Sequence, residues 1–180
     1  MRKIIFFIIL VLSLPVSAKA PLPEEQLQKS DYVWLARSMV AEAGWESERD
    51  HIAIAYVLAR QWRMQQKRWP KLRFRDLMFR YVKGLGGHRR EYTIRQRWIR
   101  SLSPAMTEPD HWPKRASWER HRPLWAATLV RVEQWAQGRL PDPCQGDAWH
   151  WGGTMDFPKQ RMIKIDCGET KNTFYTLSSD

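Results

Sequence analysis

The feature that most constrains the fold is the segment Ile52–Ala59, in which apolar side chains occupy every face of a helix. Such a helix is enclosed by other elements, because no side of it faces water without cost. We therefore predict that a helix from Glu48 to about Lys67 runs through the middle of a core. A chain of 180 residues is long enough for one domain built around that helix.

A second helix is predicted ahead of the central one. Ser30 can cap a helix from Asp31 to Ala43, because apolar residues recur there at helical spacing, and Gly44 would end it. Ser47, with Asp50 three residues later, is typical of a variant capping box at the start of the central helix. The two helices would then be joined by a short turn.

Basic, amphipathic helices are expected after the central one, over residues 74–83 and 91–102. Residues 103–114 contain three prolines and predict an irregular loop. Pro123 suits the first turn of a last helix, which would end at Gly138.

Beyond Pro141 the composition changes from helical to strand-like. Apolar and aromatic residues within 161–166 and 173–177, with Gly168 and Asn172 between them, predict a small hairpin. The sequence therefore predicts an α+β fold, mainly α, with a C-terminal β-hairpin, in a single domain over residues 31–180.

The N-terminus is typical of an exported protein. Positive charges precede the apolar run Ile4–Leu14, and small residues up to Ala18 follow it. We predict a signal peptide over residues 1–18, a short tether over residues 19–30, and a periplasmic or extracellular location. The run is short for a membrane span, and an uncleaved anchor is the alternative.

The two cysteines follow from that location. In an oxidising compartment Cys144 and Cys167 are expected to form a disulfide. A zinc site that includes His150 is the alternative, although the spacing matches no usual zinc pattern.

Glu42 is the candidate catalytic residue. It lies between Ala41 and Ala43 in the last turn of a predicted helix, with Trp45 just beyond. An apolar setting and the negative end of the helix dipole both favour the protonated form of a carboxyl group. A glycosidase needs such an acid to protonate a leaving oxygen. The alternative is a solvated glutamate at a helix end.

Several motifs carry a resemblance to a known family. They are Leu35-Ala36-Arg37, Glu42-Ala43-Gly44-Trp45-Glu46, Ile52-Ala53-Ile54-Ala55, Asp142-Pro143, Ala148-Trp149-His150, Cys167-Gly168 and Phe174-Tyr175. Together they resemble the spore-cortex-lytic cell wall hydrolases of the SleB type. The resemblance covers both ends of the chain beyond the signal peptide but not its basic middle.

The resemblance implies a lysozyme-like fold and cleavage of the glycan strands of peptidoglycan. Carried over by position, Glu42 is the catalytic acid and Glu46 has a supporting role in substrate binding. The sequence departs from the family at Gly44-Trp45, where the family has Arg-Gly, and at Arg60-Gln61, where it has Asn-Arg. We predict that the reaction uses no cofactor and no metal.

The second catalytic group stays open. A two-carboxylate mechanism needs a partner for Glu42, and Asp147, Asp156 and Glu46 are the candidates. Without a partner, a lytic transglycosylase reaction is more economical, in which the 6-hydroxyl of the sugar attacks and gives a 1,6-anhydro product. A muramidase that uses water is the competitor, and a non-catalytic wall-binding module is the alternative of another class.

Aromatic and polar residues near the C-terminus are candidates for sugar binding. Trp149, His150 and Thr154 lie in a segment with two glycines, and Tyr175 can line the same cleft. The alternative is that these side chains only pack in the core.

The charge predicts the partners. Lys and Arg outnumber Asp and Glu by 30 to 19. Removal of residues 1–18 takes away two of the positive charges, which leaves a net charge of +9. Such a protein is drawn to peptidoglycan and to anionic polymers of the envelope. The basic stretch over residues 60–100 could also bind nucleic acid, but an exported protein meets little of it, so we expect no nucleic-acid partner. No stable membrane span is expected after processing.

Overall fold

The computed structural model describes residues 21–22, 27–45, 47–82, 115–152 and 162–178, and of residues 115–121 it describes the backbone. The predicted signal peptide, the predicted helix over residues 91–102 and the loop over residues 103–114 lie outside these ranges. The described helices and strands are α1 (Lys29–Ala43), α2 (Glu48–Arg68), α3 (Phe74–Tyr81), α4 (Arg115–Ala136), β1 (His150–Trp151), β2 (Met162–Ile165) and β3 (Phe174–Leu177). The fold is mainly helical with a small antiparallel sheet, as the sequence predicts.

The core forms around α2. Within Ile52–Ala59 every side chain is buried except Tyr56, which is half-buried. Helix α1 packs against α2, α3 and α4. The prediction of a buried central helix is therefore confirmed.

An aromatic cluster joins the far end of α2 to α3 and α4. Phe74 lies between Trp62, at 5.9 Å between ring centroids, and Trp135, at 6.3 Å. The indole N–H of the buried Trp62 donates a hydrogen bond to the carbonyl of Leu72 over 2.9 Å. Leu22, within the predicted tether, is also fully buried, so that part of the tether packs on the domain.

The predicted start of α1 was wrong. The helix begins at Lys29, and its N-cap residue is Gln28 rather than Ser30. The backbone N–H of Gln28 donates to the carboxylate of Asp31 over 2.8 Å. That bond closes the first turn earlier than expected and leaves Ser30 inside the helix.

Two further details of the helix N-termini differ from the predictions, although α2 begins at Glu48 as predicted. Pro123 lies inside α4, eight positions after Arg115, rather than in the first turn. Proline has a helical φ, but inside a helix it removes one backbone donor and its ring crowds the carbonyl four residues earlier, so this position is a costly one. At α2, the Ser47 hydroxyl donates to the Asp50 carboxylate, and the Ser47 side chain makes no capping bond to the backbone of the first turn.

The sheet contains the predicted hairpin and one additional strand. Its order is β1-β3-β2, and both pairings are antiparallel. Strand β1 was not predicted, because two residues are too few to show an alternating pattern. The sheet therefore brings His150 and Trp151 beside the hairpin.

A disulfide joins the segment before β1 to the β2–β3 loop, and a partly buried hydrogen bond connects that loop to α2. Cys144 and Cys167 form the predicted disulfide, so neither sulfur is a thiolate that could bind zinc. The Arg49 side chain donates to the Cys167 carbonyl over 2.7 Å. Gly168 follows with φ of 77°, a conformation that favours glycine, and a Cβ there would force the Arg49 guanidinium, 2.5 Å away, to move. Within the described ranges, no helix has the length and apolar character needed to cross a bilayer.

Candidate active site

Glu42 lies in the last turn of α1, where it is half-buried. The indole N–H of Trp151 donates a hydrogen bond to Glu42 Oε2 over 3.2 Å. The chain turns away at Gly44, whose φ of 75° lies in the region that favours glycine. The predicted acid is therefore held at a helix end against an aromatic edge strand and does not extend into bulk solvent.

The pairing of the strands sorts their side chains onto two faces. Residues directly opposite each other in antiparallel strands share a face. His150 and Lys164 both pair with Tyr175 and lie on one face. Trp151 pairs with the buried Phe174, and both lie on the other face of the sheet, which packs on the core. Glu42 thus contacts the core-facing side of β1, whereas His150 and Tyr175 lie on the opposite side.

Polar residues of α2 hold the strand in place. Gln61, almost fully buried, donates from Nε2 to the carbonyl of Trp149 over 2.7 Å. Arg60 donates from Nε to the carbonyl of Ala148 over 2.6 Å and pairs with Asp142. These contacts give the polar Arg60-Gln61 pair of α2 a structural role. Burial lowers the pKa of the neighbouring His150, which keeps its ring neutral at pH 7.

The first turn of α2 is connected to Glu42 through Asn172. The fully buried carboxylate of Asp50 accepts the backbone N–H groups of Lys171, over 2.7 Å, and of Asn172, over 2.8 Å. The Asn172 amide donates to Asp50 over 2.9 Å and to the backbone carbonyl of Glu42 over 3.3 Å. Asp50 thus fixes the β2–β3 loop, and that loop contacts the helix end that carries Glu42.

Two clefts border this loop. One of about 410 Å³ is lined by Lys164, Asp166, Asn172 and other residues of the hairpin. A more open one of about 630 Å³ lies between the start of α2 and Glu169, and both are lined by Thr170 and Lys171. Glu42 is not among the described residues that line either cleft. It is connected to the cleft of about 410 Å³ through Asn172, whose amide donates to the Glu42 carbonyl. The cleft by Asn172 is lined largely by polar residues, and its volume suits a sugar unit.

His51 is a buried histidine just behind this site. Its Nε2–H donates to the Gly44 carbonyl over 2.7 Å, and its Nδ1 accepts from Arg131 over 2.9 Å. Arg131 also pairs with Glu48 over 2.9 Å. Burial, together with the positive charge of Arg131, lowers the pKa of His51 to about 4. The ring is therefore neutral at pH 7 and holds the C-cap of α1 in place.

We expect acid to destabilise the protein through His51. Its folded pKa of about 4 lies below the ordinary value of 6.5, so the unfolded chain takes up the proton first. The stabilisation is complete above pH 6.5 and is lost as the pH falls towards 4, which amounts to about 3 kcal/mol. Urea unfolding between pH 7 and pH 4 should show this loss. His51→Gln should flatten the curve in that window, apart from the smaller contribution of His150, and an unchanged curve would contradict the assignment.

Some predicted residues are not described. Glu46, Thr154 and Asp156 lie outside the described ranges, so their roles stay predictions. Asp147 is described: it is exposed in the turn that follows Cys144.

Residues that sequence reasoning missed complete the site. They are Trp151, which contacts Glu42, and Asn172, which contacts both Asp50 and the Glu42 carbonyl. Asp50 was predicted, but only as a capping residue. One signal was available, because a polar Arg60-Gln61 pair directly after an apolar segment indicates buried polar contacts. Nothing comparable identifies Asn172, whose partners are 122 and 130 positions away in the sequence.

The arrangement offers a carboxyl group as acid or base, an aromatic edge and polar clefts. In the part of the chain that the structure describes, no cluster of His, Cys, Asp and Glu is arranged to hold a metal ion. No protein-family model, no curated protein and no solved structure matches this chain. The resemblance to the spore-cortex-lytic hydrolases and the lysozyme-like fold therefore stay predictions based on the sequence motifs.

Proposed function

We propose that the protein cleaves peptidoglycan glycan strands between N-acetylmuramic acid and N-acetylglucosamine, with Glu42 as general acid and base. The observation that carries this proposal is the half-buried Glu42 carboxyl group, held at a helix end by the Trp151 indole. The predicted export signal and the net positive charge fit an enzyme that acts on the cell wall.

The chemistry needs one proton donor that later accepts a proton. The Glu42 carboxyl group protonates the bridging oxygen while the bond between that oxygen and C1 of N-acetylmuramic acid breaks. The resulting carboxylate then takes the proton of the sugar's own 6-hydroxyl, whose oxygen forms the new bond to C1. The product is a 1,6-anhydro end, and Glu42 is protonated again. This is the reaction of a lytic transglycosylase.

The hydrogen bonds that Asp50 accepts support a mechanism with one carboxyl group. Asp50 is the described carboxylate that Asn172 connects to the Glu42 segment, and both its oxygens accept hydrogen bonds from the β2–β3 loop. A carboxylate committed to such bonds is a poor nucleophile or base. Asp147, the described candidate partner, is exposed in a turn.

Substrate binding is assigned to the polar cleft by Asn172, which can bind hydroxyl and acetamido groups, and to the aromatic residues of the sheet. Lys164 lines that cleft and shares a face with His150 and Tyr175. The half-buried Trp149 and His150 supply ring faces that suit pyranose rings, whereas the buried Tyr175 supports them from below. Glu46 and Thr154, which lie outside the described residues, are proposed to contribute as well.

The test is incubation of the purified protein with insoluble peptidoglycan, followed by mass spectrometry of the soluble fragments. We expect fragments with 1,6-anhydro ends. Fragments with reducing ends would replace the transglycosylase with the competing muramidase, because water would then be the acceptor. Binding to the sacculus without any release would contradict both and favour the wall-binding module.

A further inference from the structure

A basic surface lies at the end of α2, away from Glu42 in the sequence. Residues 51–75 contain no Asp or Glu. The Lys and Arg residues in this stretch are Arg60, Arg63, Lys67, Arg68, Lys71, Arg73 and Arg75. A run of this length with one sign of charge creates a positive potential on the surface that carries it.

Several of these cations already have partners inside the protein. Arg60 pairs with Asp142, and Arg73 pairs with Asp76. Arg63 donates to the carbonyl of Pro21. Arg63 and Arg73 are exposed as well, but Lys67, Arg68 and Lys71 form no ion pair or side-chain hydrogen bond with another described residue, and they lie exposed around the C-terminal end of α2. The field of the stretch is therefore directed to solvent mainly at this end.

Large apolar side chains are exposed among these cations. The side chain of Trp69 is 54% exposed and that of Met64 is 47% exposed. Met64, Lys67 and Arg68 have the spacing i, i+3 and i+4, which places them on one helix face. The Arg68 guanidinium lies 5.5 Å from the centroid of the Trp69 ring. We call Met64, Lys67, Arg68, Trp69 and Lys71 the α2-end surface.

The α2-end surface is built on a fixed turn. The N–H of Trp69 donates to the carbonyl of Gln65, and the N–H of Leu72 donates to the carbonyl of Trp69. Leu72 is buried, and its own carbonyl accepts the indole N–H of Trp62 in the core. The backbone that presents Trp69 is thus held before any partner binds, so binding does not have to order it.

We propose that the α2-end surface binds the headgroup region of membranes that contain anionic phospholipids. Its cations match a negative lipid surface, and each such residue strengthens binding about fivefold. Tryptophan is the residue that best suits the boundary between headgroups and acyl chains, and Met64 can enter the same boundary. A soluble polyanion would use the charges but would leave both apolar side chains in water, so the exposed pair favours a membrane. This contact does not depend on the function of Glu42.

The test compares the full chain with its variants on two kinds of vesicle, by co-sedimentation. One contains phosphatidylglycerol with phosphatidylcholine, and the other contains phosphatidylcholine alone. The measured quantity is the ratio of the two partition coefficients, because the N-terminal apolar segment is the same in every variant. We expect Lys67→Gln/Lys71→Gln to lower this ratio about 25-fold. Trp69→Ala should lower binding to the anionic vesicles several-fold.

The matched control is Arg122→Gln/Arg139→Gln, which removes the same charge from exposed positions elsewhere. We expect it to lower the ratio much less, since the lost charges lie outside the α2-end surface. Equal losses in the two double variants would overturn the proposal, because net charge alone would then explain the binding. Trp69→Ala that binds like the wild type would also overturn it and would favour a soluble polyanion.

Discussion

Glu42→Gln is expected to lower the rate of glycan release by about 10³-fold. The amide cannot give a proton to the leaving oxygen and cannot take one from the 6-hydroxyl. Its carbonyl oxygen can still accept the Trp151 indole N–H that now reaches Glu42 Oε2, so the variant should fold. The rate would be measured as soluble muropeptide released from sacculi at pH 7, beside thermal unfolding of the same samples.

Two companion variants sharpen this result. Glu133→Gln makes the same chemical change on an exposed position of α4 and should leave release unchanged. Trp151→Phe keeps the ring but removes its N–H, so it should slow release by about 10-fold, a fraction of the loss in Glu42→Gln. Normal release by Glu42→Gln would remove Glu42 from the mechanism, whatever the other variants do.

The fold could be predicted where the sequence pattern is local and long. The apolar segment Ile52–Ala59 predicts a buried helix because it leaves no polar face, and α2 is such a helix. The hairpin is predicted by two short apolar and aromatic segments with Gly168 and Asn172 between them, and β2 and β3 confirm it. Helix starts were predicted less well, because the bond from Gln28 to Asp31 competes with a cap at Ser30.

The candidate site could be predicted only as far as Glu42 itself. Its position at a helix end between alanines is a local feature. Its contact with Trp151 joins residues 109 positions apart, and that of Asp50 with Asn172 joins residues 122 positions apart. No local pattern contains such pairs, because they depend on how β1 and the β2–β3 loop pack against the helices. His150 and Tyr175 illustrate the same limit, since only strand register decides which face they share.

Asp50→Ala is expected to lower the free energy of unfolding by about 3–5 kcal/mol. The substitution removes a fully buried carboxylate that accepts two backbone N–H groups and the Asn172 amide. Those donors would be left without their acceptor, and each unsatisfied buried donor costs about 1–3 kcal/mol. Urea denaturation at pH 7 measures the loss. The exposed Asp147 provides the control, since Asp147→Ala should change stability by about 0.5 kcal/mol or less.

A double-mutant cycle tests whether Asp50 acts through Asn172. Asn172→Ala removes the amide that bonds both Asp50 and the carbonyl of Glu42. If the two residues act as a unit, the double variant should be more stable than the sum of the single losses predicts, by about 1–2 kcal/mol. Additive losses would mean that Asp50 holds only the loop backbone. Asn172→Ala should also slow glycan release, because the helix end that carries Glu42 loses its contact with the loop. If Asn172→Ala releases glycan at the wild-type rate while Glu42→Gln stays inactive, the connection between Asp50 and Glu42 is purely structural.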